Sequence, residues 1–139
     1  MKSIVKSTIV MLVILSMFSV GLKAEKHGEI KGMELNDGKP WEANEETTTG
    51  ISNMTKLVKD FTKKDDVNKY KELTKKLNVE FQGIFDNCTM TGAAHDQLHN
   101  YLVPIIDYLK GLKSDDLKEC KDSLGKLKGH LAKYDKYFK

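Results

Sequence analysis

Beyond residue 43, apolar residues recur at spacings of three and four, the period of a helix that buries one face. Four such stretches predict helices at about 44–63, 66–85, 92–112 and 115–138. No stretch of any length shows the alternation with period two that a strand needs. The most regular of the four is the last, whose apolar stripe is Leu117, Cys120, Leu124, Leu127, Leu131, Tyr134 and Phe138.

Short links between these stretches set the expected architecture. About two, then six, then one residue separate the predicted helices if Ser114 is counted with the fourth helix as its N-terminal cap, and links this short favour antiparallel neighbours. The sequence therefore predicts an all-α fold, an antiparallel up-down-up-down four-helix bundle over 44–139. If the last two helices fold back around Lys113, position 95 lies opposite about 132 and position 99 opposite about 128. Pro104 predicts a kink in the third helix, or its division into two shorter ones.

The N-terminus predicts export. A short basic lead is followed by about fifteen mostly apolar residues and then by Ala24, a pattern typical of a cleaved secretory signal and too short for a membrane-spanning helix. We therefore expect a signal peptide at 1–24, a periplasmic or secreted mature protein, and no stable membrane anchor. Residues 25–43 lack a helical period and predict an irregular arm. Trp41 is expected to pack against the bundle as a lid.

The charge of the chain argues against one class of function, nucleic-acid binding. The chain has 23 basic and 20 acidic residues, and none of the basic residues is Arg. Removal of 1–24 takes away Lys2, Lys6 and Lys23 and no acidic residue, so the mature chain has no formal net charge. Without a basic excess or an Arg, the sequence gives no support for nucleic-acid binding.

The candidate chemistry lies between residues 88 and 130. Cys88 and Met90 directly precede the third helix, and His95 and His99 share one face of it because they are four residues apart. The expected pairing across Lys113 adds His130 to the same end of the bundle. Thiolate, thioether and imidazole are ligands of soft and borderline transition metals. These five residues therefore predict one metal site, with copper favoured by Met90 and zinc as an alternative.

Each of these residues also has a purely structural interpretation. His95 lies on the stripe that faces the core, and His99 and His130 flank their stripes, where histidines are common without any ligand. Cys120 falls within an apolar stripe and predicts a buried free thiol. Its place near the opposite end of the bundle argues against a disulfide with Cys88. Because no pair of a nucleophile and a base and no phosphate loop is evident, we expect no enzymatic activity.

Two resemblances extend this interpretation. The pattern Cys-x-Met-x-Gly-x-Ala-His-x-x-x-His, followed by Leu102-x-Pro104 and by an aromatic C-terminus after His130, resembles small exported helical-bundle proteins of bacteria that have no assigned activity. The architecture is also similar to periplasmic four-helix cytochromes that bind b-type haem. That similarity implies a Met and a His on facing helices, which Met54 and His130 would supply. No Cys-x-x-Cys-His motif for covalent haem is present.

Three functions therefore compete: a copper-binding bundle that buffers the ion or transfers it, a carrier of electrons through haem b, and a structural or interaction bundle without a metal. A metal-transferring protein would need a metal ion and another periplasmic protein as partners. The sequence leaves these three open.

We predict that the exported protein begins at Glu25, because the basic lead, the short apolar run and the small residue Ala24 match the requirements of signal cleavage. The intact mass of the exported protein measures this. A mature fraction that retains Met1–Ala24 would contradict the prediction.

Overall fold

The structure, a computed structural model, describes residues 29–139. The predicted signal peptide lies outside these residues. The described part contains four long helices and one short helix, and its only bridge pairings are two isolated ones. The helices are α1 (Glu45–Asp60), α2 (Val67–Asp86), α3 (Gly92–Gly111), α4 (Leu117–Leu131) and α5 (Tyr134–Tyr137). The all-α class with four helices is confirmed, whereas the up-down-up-down order stays a prediction.

Local side-chain chemistry sets where two helices begin. The Asp66 carboxylate accepts a hydrogen bond from the Asn68 backbone N–H at the start of α2, and the Asp116 carboxylate does the same for Lys118 at the start of α4. Each satisfies one of the backbone donors that a helix leaves open at its N-terminus. Ser114, the expected cap of the fourth helix, instead accepts from the Asp116 N–H with its hydroxyl. Helix α4 therefore begins two residues later than predicted.

Two further boundaries, and one of the two alternatives stated for Pro104, differ from the sequence prediction. Helix α1 ends at Asp60 rather than near residue 63, because Phe61 adopts an extended backbone. The fourth predicted helix ends at Leu131 and resumes only as the single turn of α5. Helix α3 runs unbroken past Pro104, so the predicted division into two helices is wrong.

Helices α1 and α2 pack closely as an antiparallel pair. Phe61 at the end of α1 contacts Tyr70 near the start of α2, with ring centroids 4.9 Å apart. At the other end of the pair, the Asn44 amide donates to the Asn87 carbonyl. Between them, Gly50 faces Ile84 so closely that a side-chain Cβ at Gly50 would lie 2.5 Å from Ile84 Cγ1. The glycine therefore permits this helix contact.

Helices α3 and α4 form a second antiparallel pair, with a register that differs from the predicted one. Their link is 112–116, five residues rather than one. Near the link, the Cys120 thiol donates to the carbonyls of Leu112 and Ser114, and Gly111 faces the Ser123 hydroxyl. The longer link moves each α4 residue toward the α3 C-terminus relative to the predicted pairing.

The N-terminal arm and the C-terminus hold each other. The Trp41 N–H donates to the Tyr137 carbonyl, and Lys139 and Trp41 are joined by a second backbone bond. The half-buried Trp41 packs against the core, and its indole N–H donates to the Glu34 carbonyl. These contacts agree with the expected lid.

Side chains of α3 complete the attachment of the arm. The Asn100 amide donates to the Gly32 carbonyl, and the Gln97 side-chain oxygen accepts from the Glu34 N–H. The arm thus lies across the N-terminal half of α3.

No helix within residues 29–139 combines the length and the apolar composition that crossing a bilayer demands.

We predict opposite effects of alanine at two helical glycines. Gly50→Ala should lower the free energy of unfolding by about 1–3 kcal/mol, because the new methyl group overpacks against Ile84. Gly125→Ala should raise it by about 0.5–1 kcal/mol, because nothing lies within 4 Å of its Cβ position and alanine favours the helix. Urea unfolding measures both, and equal effects of the two substitutions would contradict the α1–α2 packing described here.

Candidate metal-binding site

Three of the five predicted ligands lie in contact where the α2–α3 link meets α3. Gly92, with a left-handed backbone φ of 61°, turns the chain between this link and the helix. The Cys88 Sγ atom lies 3.6 Å from His95 Nδ1, and His95 Nε2 lies 3.0 Å from His99 Nε2. The link and one face of a single helix therefore bring Cys88, His95 and His99 together, as the sequence predicted.

Their arrangement divides the three into a histidine pair and a neighbouring thiol. Cys88 is on the Nδ1 side of the His95 ring, and His99 is on the Nε2 side. The two ring nitrogens point in divergent directions, so one ion can bind His95 through only one of them. Within residues 29–139, accordingly, no three His, Cys, Asp or Glu side chains are grouped so that they could hold a metal ion.

The two histidines are joined by a hydrogen bond between their Nε2 atoms, and the same separation matches a two-ligand chelate in which an ion replaces the shared proton. If each metal–nitrogen bond is about 2.0 Å long, an Nε2–Nε2 separation of 3.0 Å corresponds to an angle of about 95° at the ion. This angle is close to the roughly 90° of the square-planar or tetragonal geometry that Cu(II) and Ni(II) prefer. His99 is exposed and His95 is half-buried, so an ion can reach the pair from solvent.

Met90 contributes no observed contact to the pair. Its side chain is half-buried and packs against the hydrophobic core. It lies in the same link as Cys88, two residues before Gly92. Met90 is therefore close to the two histidines in the sequence, while its side chain packs against the core.

His130 lies elsewhere, and the predicted pairing that placed it between His95 and His99 is wrong. The His130 side chain is buried, and its Nε2 atom lies 2.8 Å from the Tyr101 carbonyl oxygen, to which it donates as the N–H tautomer. Its ring also packs against the rings of Tyr101 and Tyr108, with centroids 4.6 and 5.6 Å away. The predicted pairing would place position 130 opposite about 97, whereas the observed packing of α4 on α3 places it beside Tyr101, near the middle of α3.

The environment of His130 favours its neutral form. Burial lowers the pKa of His130 because the imidazolium loses its hydration. The hydrogen bond to the Tyr101 carbonyl opposes this shift, and the charge of Lys133 adds to it. A neutral imidazole enclosed by two tyrosine rings, with its Nε2 engaged, fits a structural role.

Both cysteines are free thiols. Cys120 is fully buried, at the α3–α4 link, whereas Cys88 is half-buried, at the other end of α3. Burial raises the pKa of the Cys120 thiol, and nearby acidic groups, of which Glu119 contributes most, add to the rise. The protonated Cys120 thiol is thus a weak candidate for a metal ligand.

The haem alternative would use Met54 and His130. Met54 is fully buried within the hydrophobic core, and His130 Nε2 bonds the Tyr101 carbonyl. A haem between them would have to displace core side chains and break this hydrogen bond. The contacts of Met54 and His130 therefore do not favour haem.

Sequence reasoning missed the aromatic neighbours of the histidines. The Phe85 ring, at the end of α2, lies edge-on to His99 with centroids 6.2 Å apart. Tyr101 and Tyr108 enclose His130. The helical spacing of these tyrosines predicts which of them face inward, but the helix that they meet depends on the link length.

Comparisons of this chain with protein-family models, with curated proteins and with solved structures find no match.

We predict that His130 makes stability depend on pH. The unfolded chain takes up a proton near the ordinary pKa of 6.5, and folded His130 does so only at lower pH. The free energy of unfolding should therefore fall as the pH drops through 6.5, and His130 should cause no further loss below its folded pKa.

The measurement compares urea unfolding of the natural protein and His130→Gln between pH 8 and pH 5. The glutamine amide can donate to the Tyr101 carbonyl but does not titrate, so the stability of the natural protein relative to this variant should decrease on acidification. Gly125→Ala, which neither adds nor removes a titratable group and meets nothing within 4 Å, serves as the control and should keep the dependence of stability on pH. If the difference in free energy of unfolding between the natural protein and His130→Gln stayed constant with pH, the prediction would be wrong.

Proposed function

We propose that this protein is an exported, non-catalytic helical protein that binds copper through His95 and His99 and either buffers the ion or transfers it to another exported protein. The observation that carries the proposal is the contact of the two imidazoles, whose Nε2 atoms are hydrogen-bonded at 3.0 Å, so that an ion that displaces the shared proton would meet both nitrogens. The other predicted ligands take different parts: Cys88 orients His95, Met90 packs nearby, and His130 belongs to the core.

Helix α3 supports the proposal by fixing the spacing of the two imidazoles. Residues four apart on a helix lie on the same face, so the backbone fixes the separation of the two rings before any ion arrives. The edge of the Phe85 ring limits the movement of the His99 ring on one side. A preformed pair loses less conformational entropy on binding than two mobile side chains would.

Cys88 supports the proposal through the tautomer of His95. When Nε2 binds an ion, the proton of a neutral imidazole resides on Nδ1. The Cys88 sulfur, 3.6 Å from Nδ1, can accept that N–H. Metal-binding histidines commonly donate their second N–H to such a partner, which holds the ring in orientation. Cys88 is therefore a positioning residue in this proposal.

The two-histidine chelate also suits exchange of the ion. A site that keeps open coordination positions allows an incoming ligand to bind before the first ligands leave. This property suits reversible buffering or transfer better than permanent structural binding. Protons compete for the same nitrogens, so acidification should weaken the binding.

We predict that copper binding depends on the histidine pair. Titration with Cu(II), followed by calorimetry, should show that His95→Ala and His99→Ala each weaken the affinity by about 100-fold, since each leaves a single imidazole. Cys88→Ala should weaken it by about 10-fold, in the range found when an outer-shell partner is lost. His130→Gln, the matched control at a histidine with a structural role, should bind like the natural protein.

Two results would contradict this proposal. The first is unchanged affinity and stoichiometry in the double variant His95→Ala/His99→Ala with circular dichroism like that of the natural protein. The second is an intense sulfur-to-copper charge-transfer band that disappears in Cys88→Ala, because it would make Cys88 a ligand rather than an orienting partner. Without any copper binding, the interaction bundle becomes the better interpretation.

A further inference from the structure

The histidine pair leaves an ion with unfilled coordination positions. Square-planar and tetrahedral ions take four ligands, and His95 and His99 supply two. Within residues 29–139, no third His, Cys, Asp or Glu is grouped with them to complete a site, and Cys88 faces the opposite nitrogen of His95. An ion on this pair therefore needs two ligands from water or from another molecule.

Three large apolar side chains are exposed on the surface near the pair. Val103 and Ile106 are 57% and 50% exposed. Val103 is four residues after His99, and Ile106 is three residues after Val103, so both lie on the same face of α3 as the pair. Phe85, 39% exposed, borders His99 from α2. We define Phe85, Val103 and Ile106 as the apolar rim of the pair. Whatever completes the coordination also approaches this rim.

We infer that the completing partner is a second copy of this chain, so that copper joins two chains through His95 and His99 of each. This inference rests on the proposed function. A two-fold axis through the ion brings two identical pairs together and supplies four imidazoles. The same axis brings the two rims to the interface, where their side chains lose contact with water.

Charge does not oppose such a dimer. Residues 29–139 contain equal numbers of Lys and acidic residues, so two copies carry no net repulsion. The side chains that bind the ion are imidazoles, and the exposed side chains of the rim are apolar. The ion supplies the directional bonds, and the rim adds the apolar contact.

This arrangement predicts a characteristic dependence on the metal. At one Cu(II) per two chains, each ion can join two pairs, so the dimer fraction should be greatest. With excess Cu(II), every pair holds its own ion, and the dimer should dissociate. Light scattering after size-exclusion chromatography at increasing copper ratios measures this. Nitrogen couplings in the electron paramagnetic resonance spectrum should indicate four imidazoles at the dimer maximum and two in excess copper.

A matched pair of variants tests the rim separately from the ligands. Val103→Lys should weaken copper-dependent dimerisation by at least about 10-fold, because it places a charge one turn from His99. Its affinity for one ion per chain should stay within about 2-fold of that of the natural protein. Val79→Lys is the control: Val79 is 70% exposed on α2, in a surface groove that it shares with α1 residues such as Lys56 and Leu57. It should leave the dimer unchanged.

The outcomes separate this inference from the proposed function. Copper binding to a chain that stays monomeric at every ratio would overturn the dimer and leave the two-histidine site intact. A dimer that forms equally without copper, or with copper in His99→Ala, would also overturn the inference. Absence of copper binding would overturn the proposed function itself.

Discussion

The link between α3 and α4 is the constraint on which the rest of this structure depends. Its five residues, 112–116, set the position along α3 at which α4 begins to pack against it. Two contacts fix the result: the Cys120 thiol donates to carbonyls of the link, and Gly111 admits the Ser123 hydroxyl where a methyl group would collide. These contacts near the link fix which α4 residue lies opposite each α3 residue, because both helices advance by about 1.5 Å per residue.

This register separates the histidines into two chemical types. It places His130 between two tyrosine rings, with a carbonyl for its Nε2 and a lowered pKa. It leaves His95 and His99 at the N-terminal end of α3, with no α4 histidine opposite them. One imidazole consequently stabilises the core, and two remain accessible to an ion. The proposed copper chelate and its completion by a second chain both follow from this separation.

Much of the fold could be predicted from the sequence, because helical periodicity is a local property. The apolar stripes of α2 and α3 predicted helix ends within one residue of the observed ones. The burial of Cys120 was also predicted correctly. The contact of His95 with His99 followed from their spacing alone. The end of α4 could not be predicted in this way, since Tyr134 and Phe138 keep the helical spacing although the backbone leaves α4 after Leu131.

The position of His130 was predicted wrongly for a different reason. Ser114 and Asp116 could both cap the start of a helix, and the choice between them changes the length of the link and the pairing beyond it. Which side of the His95 ring Cys88 occupies likewise depends on how the α2–α3 link folds, which no periodicity specifies. Local patterns therefore predicted the elements and the histidine pair, whereas tertiary packing determined which ligands meet.

The most direct test of this account is the set of nuclear Overhauser effects from the His130 ring protons in the apo protein. The account predicts contacts from His130 to the ring protons of Tyr101 and Tyr108, whose centroids lie 4.6 and 5.6 Å away, and none to His95 or His99. Contacts from His130 to His95 or His99, without those to the two tyrosines, would contradict the register and restore a metal site that includes all three histidines.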